Sequence, residues 1–159
     1  MQRALSGCVA ALVVVLGTSL AFESAHAQKK SDIEGVKAAN EAFYAALSAR
    51  DVNAMQKVWS SARDIQNIGP RSKAPDVGWP AIKKSLEGTF ANFVELKVTM
   101  EDARIKLSGS TAWVSGIEKA ERKTKAGQAI SGSNLGTSIF MKQDGRWQMV
   151  YHHASATPK

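Results

Sequence analysis

The 159-residue chain holds a single cysteine, Cys8, and only three histidines, His26, His152 and His153. Cys8 and His26 fall in an N-terminal stretch read below as a leader, so residues 28–159 carry no cysteine at all. That excludes a disulfide, a thiolate metal site and a cysteine nucleophile from the remaining domain. His152 and His153 are neighbours on a predicted strand, where successive side chains point to opposite faces, so they cannot easily chelate one ion. No Asp/Glu cluster stands at ligand spacing either. We therefore expect no metal, and no cofactor.

A long hydrophobic run is also lacking. The longest, Val9 to Phe22, is interrupted by Gly17, Thr18 and Ser19 and is shorter than the roughly 20 residues a membrane span needs. With Arg3 before it and Ala25-His26-Ala27 after it, the run has the basic, apolar and small-residue order of a cleavable signal peptide. Residues 1–27 are read as that signal, with cleavage between Ala27 and Gln28 and no stable membrane anchor afterwards. Leu5-Ser6-Gly7-Cys8 superficially matches a lipoprotein box, but there the apolar core should precede the cysteine, and here it follows. The expected location is periplasmic or secreted. Residues 28–159 suffice for one domain with a core of its own.

Charge of one sign is in modest excess. Lys and Arg number 21 against 14 Asp and Glu, a net +7 that survives loss of the leader because Arg3 and Glu23 leave together. The basic residues are spread along the chain, apart from a small cluster at Arg122, Lys123 and Lys125. We read them as a solvated surface with weak attraction for anionic surfaces or ligands, and expect no nucleic-acid partner.

Ser31 and Glu34 form a capping-box pattern, and Ile33, Val36, Asn40, Phe43 and Leu47 behind them mark one face of a long helix. Asn40 interrupts that apolar stripe and needs a hydrogen-bond partner. Asp51 caps a short second helix burying Val52, Met55 and Trp59. A short strand runs from Asp64 to Ile68, and Gly69-Pro70 ends it. A loop holding Arg71, Lys73 and Pro75 leads to Trp79-Pro80, which opens a third helix with Ile82, Leu86 and Phe90 inward. The period then changes to two. Leu96, Val98, Met100, Ile105 and Leu107 describe a long strand, with or without a bulge. Gly109-Ser110, Ala126-Gly127 and Asp144-Gly145 separate it from three more, Thr111–Arg122, Ile130–Gln143 and the terminal run. The order α-α-β-α-β-β-β-β predicts an α+β domain, helices on one side of a curved antiparallel sheet, with neither internal repeat nor low-complexity linker.

The terminal strand is the most specific part. Gly145, Trp147, Met149, Val150, His153 and Ser155 fit the form Gly-x-Trp-x-φ-Val-x-x-His-x-Ser, which resembles the end of SnoaL-like domains in the NTF2-like superfamily. Asn40-x-x-Phe43-Tyr44-x-x-Leu47, Met55-x-x-Val58-Trp59, Gly78-Trp79-x-x-Ile82 and Ile139-Phe140 extend the resemblance over residues 28–159. Trp147 to Ser155 is also similar to the end of the association domain of calcium/calmodulin-dependent protein kinase II. The resemblance implies a ketosteroid isomerase-like cone enclosing an apolar pocket, in a superfamily of isomerases, dehydratases, cyclases, assembly modules and binders. It also exposes departures. Gly69 stands where many relatives have histidine, Ser138 stands in Thr137-Ser138-Ile139-Phe140 where they have asparagine, and Ser138 and Ala154 stand where the kinase domain has arginines.

Three functions compete. The first, to which the missing motif residues incline us, is a small-molecule-binding or accessory domain holding an apolar or amphipathic ligand. The second is an isomerase, dehydratase or cyclase in which His152 or His153 and Glu118 move protons. The third is a dimerisation module. Tyr44, Trp59, Asn67, Trp79, Trp113 and Ser138 are the candidate ligand contacts. Each histidine has a structural reading as well, Glu118 reads rather as an exposed partner of Lys119 or Arg122, and the tryptophans read as core. A histidine and a carboxylate within reach of one another in the pocket would favour the enzyme. A homodimer is expected through the outer sheet face, with Ile139, Met141, Trp147 and Met149 as the contact. The exported protein should begin at or near Gln28 by intact mass. A mass that retains residues 1–27, or a lipid on Cys8, would overturn the leader assignment.

Overall fold

The computed structural model describes the backbone of residues 9–157 and the side chains of residues 26–157. These residues fall into two units divided between Glu34 and Gly35. The first is the beginning of helix α1, Val9–Ala49. Arg3 and Cys8 of the expected leader lie outside the described residues, and so do the side chains of its apolar run. Among the described residues no helix is long and apolar enough to cross a membrane. The capping box is not used. The helix continues through Ser31 because Ala27-Gln28-Lys29-Lys30 ahead of it are strong helix formers and nothing breaks the chain.

The second unit holds the rest of α1, α2 (Val52–Val58), β1 (Gln66–Ile68), β2 (Asp76–Val77), α3 (Trp79–Ala91), β3 (Phe93–Ser108), β4 (Thr111–Thr124), β5 (Ala129–Gln143) and β6 (Arg146–Ala156). Asp51 caps α2 as its residue type suggests, its Oδ1 accepting from the backbone of Asn53 and Ala54, both at 2.9 Å. Helix α3 buries Ile82, Leu86 and Phe90, the expected face. Asp144 (φ 49°) and Gly145 (φ 78°) are both left-handed, as a tight hairpin turn between right-twisted strands requires.

The sheet order is β2-β1-β6-β5-β4-β3. The four long strands are antiparallel neighbours, while β1 runs parallel to β6, so the sheet is mixed. Strand β2, two residues paired back on β1, has too little length to show a period in the sequence. The edge strand β3 is held by α1: Ser48 Oγ accepts from the Val98 amide at 2.9 Å and donates to its carbonyl at 3.1 Å.

Register shifts decide which residues share a face, and one near the start of β3, between Phe93 and Glu95, leaves Phe93 and Leu96 both buried. In β3 the pairing with β4 shifts between Glu101 and Arg104, opposite Gly116. A Cβ on Gly116 would lie 2.6 Å from the Glu101 carbonyl, so the irregular backbone fits only because that position is bare. In β6 the register with β5 shifts between Ile139 and Phe140, leaving Val150 as the extra residue. Uninterrupted alternation would set Trp147 and Met149 opposite His152 and Ala154. The bulge puts all four on the inner, helix-covered face, where each is buried. Trp147 and Met149 therefore leave the expected dimer contact and join the core with Phe43, Met55, Trp59, Ile65, Ile82 and Phe140. On the outer face Trp113, Ile139 and Tyr151 align across β4, β5 and β6. Leu135 and Met141 of β5 stand on the same side, 58% and 39% exposed.

Candidate functional site

A cavity of about 380 Å³ lies over the inner face of the sheet. Phe43 and Leu47 of α1, Leu86 of α3 and Phe93, Leu96 and Val98 of β3 supply apolar wall. Asn67, Arg71, Ser72, Glu118, Arg122, Asn134 and His152 supply polar groups. Such a mainly apolar hollow with a few convergent polar groups is the ordinary form of a small-molecule site.

Its floor is a hydrogen-bonded set built by strand register. Glu118 pairs with Asn134 across β4 and β5, and Ser138 pairs with His152 across β5 and β6. Between these two rows lie Gly116, Gly136 and Ala154, themselves aligned across the three strands. The Glu118 side chain leans over Gly136, whose missing Cβ would sit 2.8 Å from Glu118 Cγ and Oε1. Leaning that way brings Oε1 within 3.4 Å of His152 Nε2. Tyr44 on α1 donates its hydroxyl to the same Oε1 at 2.8 Å, and Asn134 Nδ2 reaches Oε2 at 3.4 Å. Ser138 Oγ lies 3.1 Å from His152 Nδ1. Phe43 packs its ring on the imidazole with centroids 4.6 Å apart.

The electrostatics follow from burial. Glu118 and His152 are 4% and 5% exposed. Burial holds the His152 imidazolium below the usual histidine range, the nearby Glu118 charge opposes that, and His153 adds to it. Burial also pushes the Tyr44 hydroxyl far above its ordinary value, reinforced by the Glu118 charge and by the bond it donates there. Tyr44 is thus a fixed donor. A neutral His152 with its proton on Nε2 presents N–H to Glu118 and leaves Nδ1 to accept from Ser138, which satisfies both contacts.

Of the residues singled out in the sequence, Glu118, His152 and Asn67 line the cavity. Glu118 is not the exposed partner of Lys119 or Arg122. Lys119 instead faces outward, 3.9 Å from Glu101. Tyr44 and Ser138 lie behind the cavity wall and act on it through Glu118 and His152. Trp59 is in the core beside Phe43, and Trp79 is half-buried at the start of α3 away from the lining. Trp113 and His153 occupy the outer face, because each is an odd step along its strand from the inward set. His153 there meets Ser155 Oγ at 3.2 Å. Asn40 finds a soft partner, Met100 Sδ at 3.7 Å, and its Oδ1 is unpaired among the described residues. Among those residues no three His, Asp or Glu side chains gather as a metal site.

The sequence reading did not single out Phe43, Arg71, Asn134 or Gly136 for the site. Arg122 was recoverable from alternation along β4 once Glu118 was known to face inward, whereas Asn134 needed the β4–β5 register. Gly136 was recoverable only with the β4–β5 register, and Arg71 only with the loop conformation.

The sequence profile of the SnoaL-like domain matches residues 36–158. No functionally curated protein matches the chain in sequence. Among solved structures, an NTF2-like family protein from Streptomyces avermitilis, described as a candidate dehydratase, is 21% identical over 82% of this chain and 99% of its own, with a TM-score of 0.74. An NTF2-like superfamily protein from Salmonella enterica is 18% identical over 82% of this chain and 92% of its own, TM-score 0.71. A ketosteroid isomerase-like protein from Erwinia carotovora is 18% identical over 77% of this chain and 94% of its own, TM-score 0.66. At these identities the likeness concerns the fold.

Gly136→Ala tests the packing that forms the floor. The added methyl must displace Glu118, so urea unfolding should show a loss of about 1–3 kcal/mol. A variant as stable as the parent would mean the carboxylate is free to move and is not fixed by Gly136.

Proposed function

The chain belongs to the SnoaL-like domain family, and we propose that it is a proton-transfer catalyst of the isomerase or dehydratase kind, acting on a small apolar-bodied molecule in the cavity. One observation carries this reading over that of a binder without turnover: the Glu118 carboxylate lies 3.4 Å from His152 Nε2 at the wall of a cavity large enough for a substrate. Glu118 is the base. Tyr44 and Asn134 hold it by donating to its oxygens, and His152 Nε2 stands 3.4 Å from Oε1, while one side remains open to the cavity. It takes a proton from a carbon next to a carbonyl. The C–H bond breaks, an O–H bond forms on Glu118, and the electron pair moves onto the carbonyl oxygen. Returning the proton to another carbon is an isomerisation; losing hydroxide from the next carbon, with that proton, is a dehydration. His152 and Tyr44 keep the carboxylate aimed and need not change protonation state.

Screening ketones, lactones and small carboxylic acids by ligand-induced stabilisation identifies bound compounds. Hits incubated in deuterium oxide should then exchange an activated C–H, followed by proton magnetic resonance. Glu118→Gln should slow that exchange by about 10²–10⁴-fold and leave the melting temperature near that of the parent. Bound compounds that never exchange, or exchange that survives Glu118→Gln, would leave a binding protein and remove the catalyst.

Two further properties belong to the same proposal. Export with loss of residues 1–27 would place the domain in the periplasm or outside the cell. A homodimer would cover the outer sheet face, where Trp113, Leu135, Ile139 and Met141 form an apolar band that water meets poorly. Light scattering at micromolar concentration should give twice the chain mass, and Leu135→Asp should halve it; a monomeric parent would end the dimer reading.

A further inference from the structure

Two arginines that proton transfer leaves unused line the same cavity. Arg122 lies on β4 four residues beyond Glu118, so both project from the inner face of the strand. Arg71 comes from the loop between β1 and β2. Neither guanidinium has a hydrogen bond or ion pair with another described residue. Arg122 is half-buried, and its acidity is raised first by that burial and then by the positive charge of Arg71, with Glu118 pulling the other way. Two cations held in one partly buried hollow repel each other, and an anion bridging them removes the repulsion.

The charge of that anion follows from the lining. With His152 neutral, two guanidinium charges against one carboxylate leave a single positive charge for the ligand to meet. A dianion would overcompensate and press against Glu118. The rest of the lining carries no charge, being apolar side chains with neutral polar groups, among them those of Asn67, Ser72 and Asn134.

We propose that the cavity takes a small monocarboxylate, its carboxylate held between Arg71 and Arg122 and its hydrocarbon body against Phe43, Leu47, Phe93 and Leu96. This rests on the reading of the cavity as a small-molecule site and names the class of molecule. The arginine contact fixes one end of the ligand, which decides which carbon meets Glu118.

Calorimetric titration with matched pairs, octanoate against octanamide and 4-phenylbutyrate against 4-phenylbutyramide, separates charge from shape. The parent should bind each carboxylate about tenfold more tightly than its amide, or better, and the preference should shrink as salt is raised. Arg71→Gln and Arg122→Gln should each bring carboxylate and amide to within about threefold while the amide affinity stays put. Arg71 is exposed on a loop, so its variant carries the test if Arg122→Gln fails to fold. Equal binding of carboxylate and amide by the parent, or a preference that survives both replacements, overturns the anion assignment alone. Octyl phosphate binding more tightly than octanoate overturns its single charge. Failure of every pair to bind at millimolar concentration overturns the cavity reading, and this inference with it.

Discussion

A carboxylate taken out of water costs several kcal/mol unless its oxygens are met by donors, and Glu118 is such a group. Its surroundings are arranged to meet that cost. Tyr44 arrives from α1, Asn134 from β5 and His152 from β6, so three separate elements must be in register before the charge is satisfied. Two bare positions make the arrangement geometrically available. Gly136 lets the side chain lie flat on the sheet, and Gly116 lets the β3 bulge close over β4. Burial, donors and glycines are therefore parts of one constraint.

The same constraint separates roles among residues that look alike in the chain. Burial keeps His152 from charging easily, and its ring stands with Nε2 against the carboxylate and Nδ1 against Ser138. Its neighbour His153 sits on the other side of the sheet against Ser155. Tyr44, its hydroxyl pushed far above its ordinary range by burial, donates to Glu118 Oε1. The cavity lining therefore combines the hydrogen-bonded carboxylate of Glu118 with two guanidinium groups that have no carboxylate partner among the described residues, beside apolar wall.

Backbone irregularity shaped the site as much as side-chain chemistry. Strict alternation along β6 assigns Trp147 and Met149 to one face and His152 to the other. The extra residue at Val150 brings them together, so that the aromatic core and the histidine of the site project from one strand onto one face. No residue type in Gln148-Met149-Val150-Tyr151 announces that bulge. It is required by the pairing with β5, which must align Ser138 with His152 while keeping Phe140 beside Met149.

Local chemistry, readable along the chain, determined the elements. Asp51 is a helix cap wherever a helix follows, Pro80 suits a helix start, Asp144-Gly145 suits a left-handed turn, and periods of 3.6 and two mark Ile82-Leu86-Phe90 and the long strands. These depend on a few adjacent residues, so the order of helices and long strands was legible, and the terminal Trp147–Ser155 run made the superfamily legible with it. The two-residue β2, the parallel pairing of β1 with β6 and the continuation of α1 through Ser31 were not, because each depends on segments distant in sequence or on the balance of neighbouring helix formers. The site shows the same division. Glu118 and His152 stood out as residue types able to carry a proton. Their meeting, the removal of Trp113 and His153 to the outer face and the approach of Arg71 to Arg122 were decided by sheet register, one bulge and one loop, which exist only once the chain has folded.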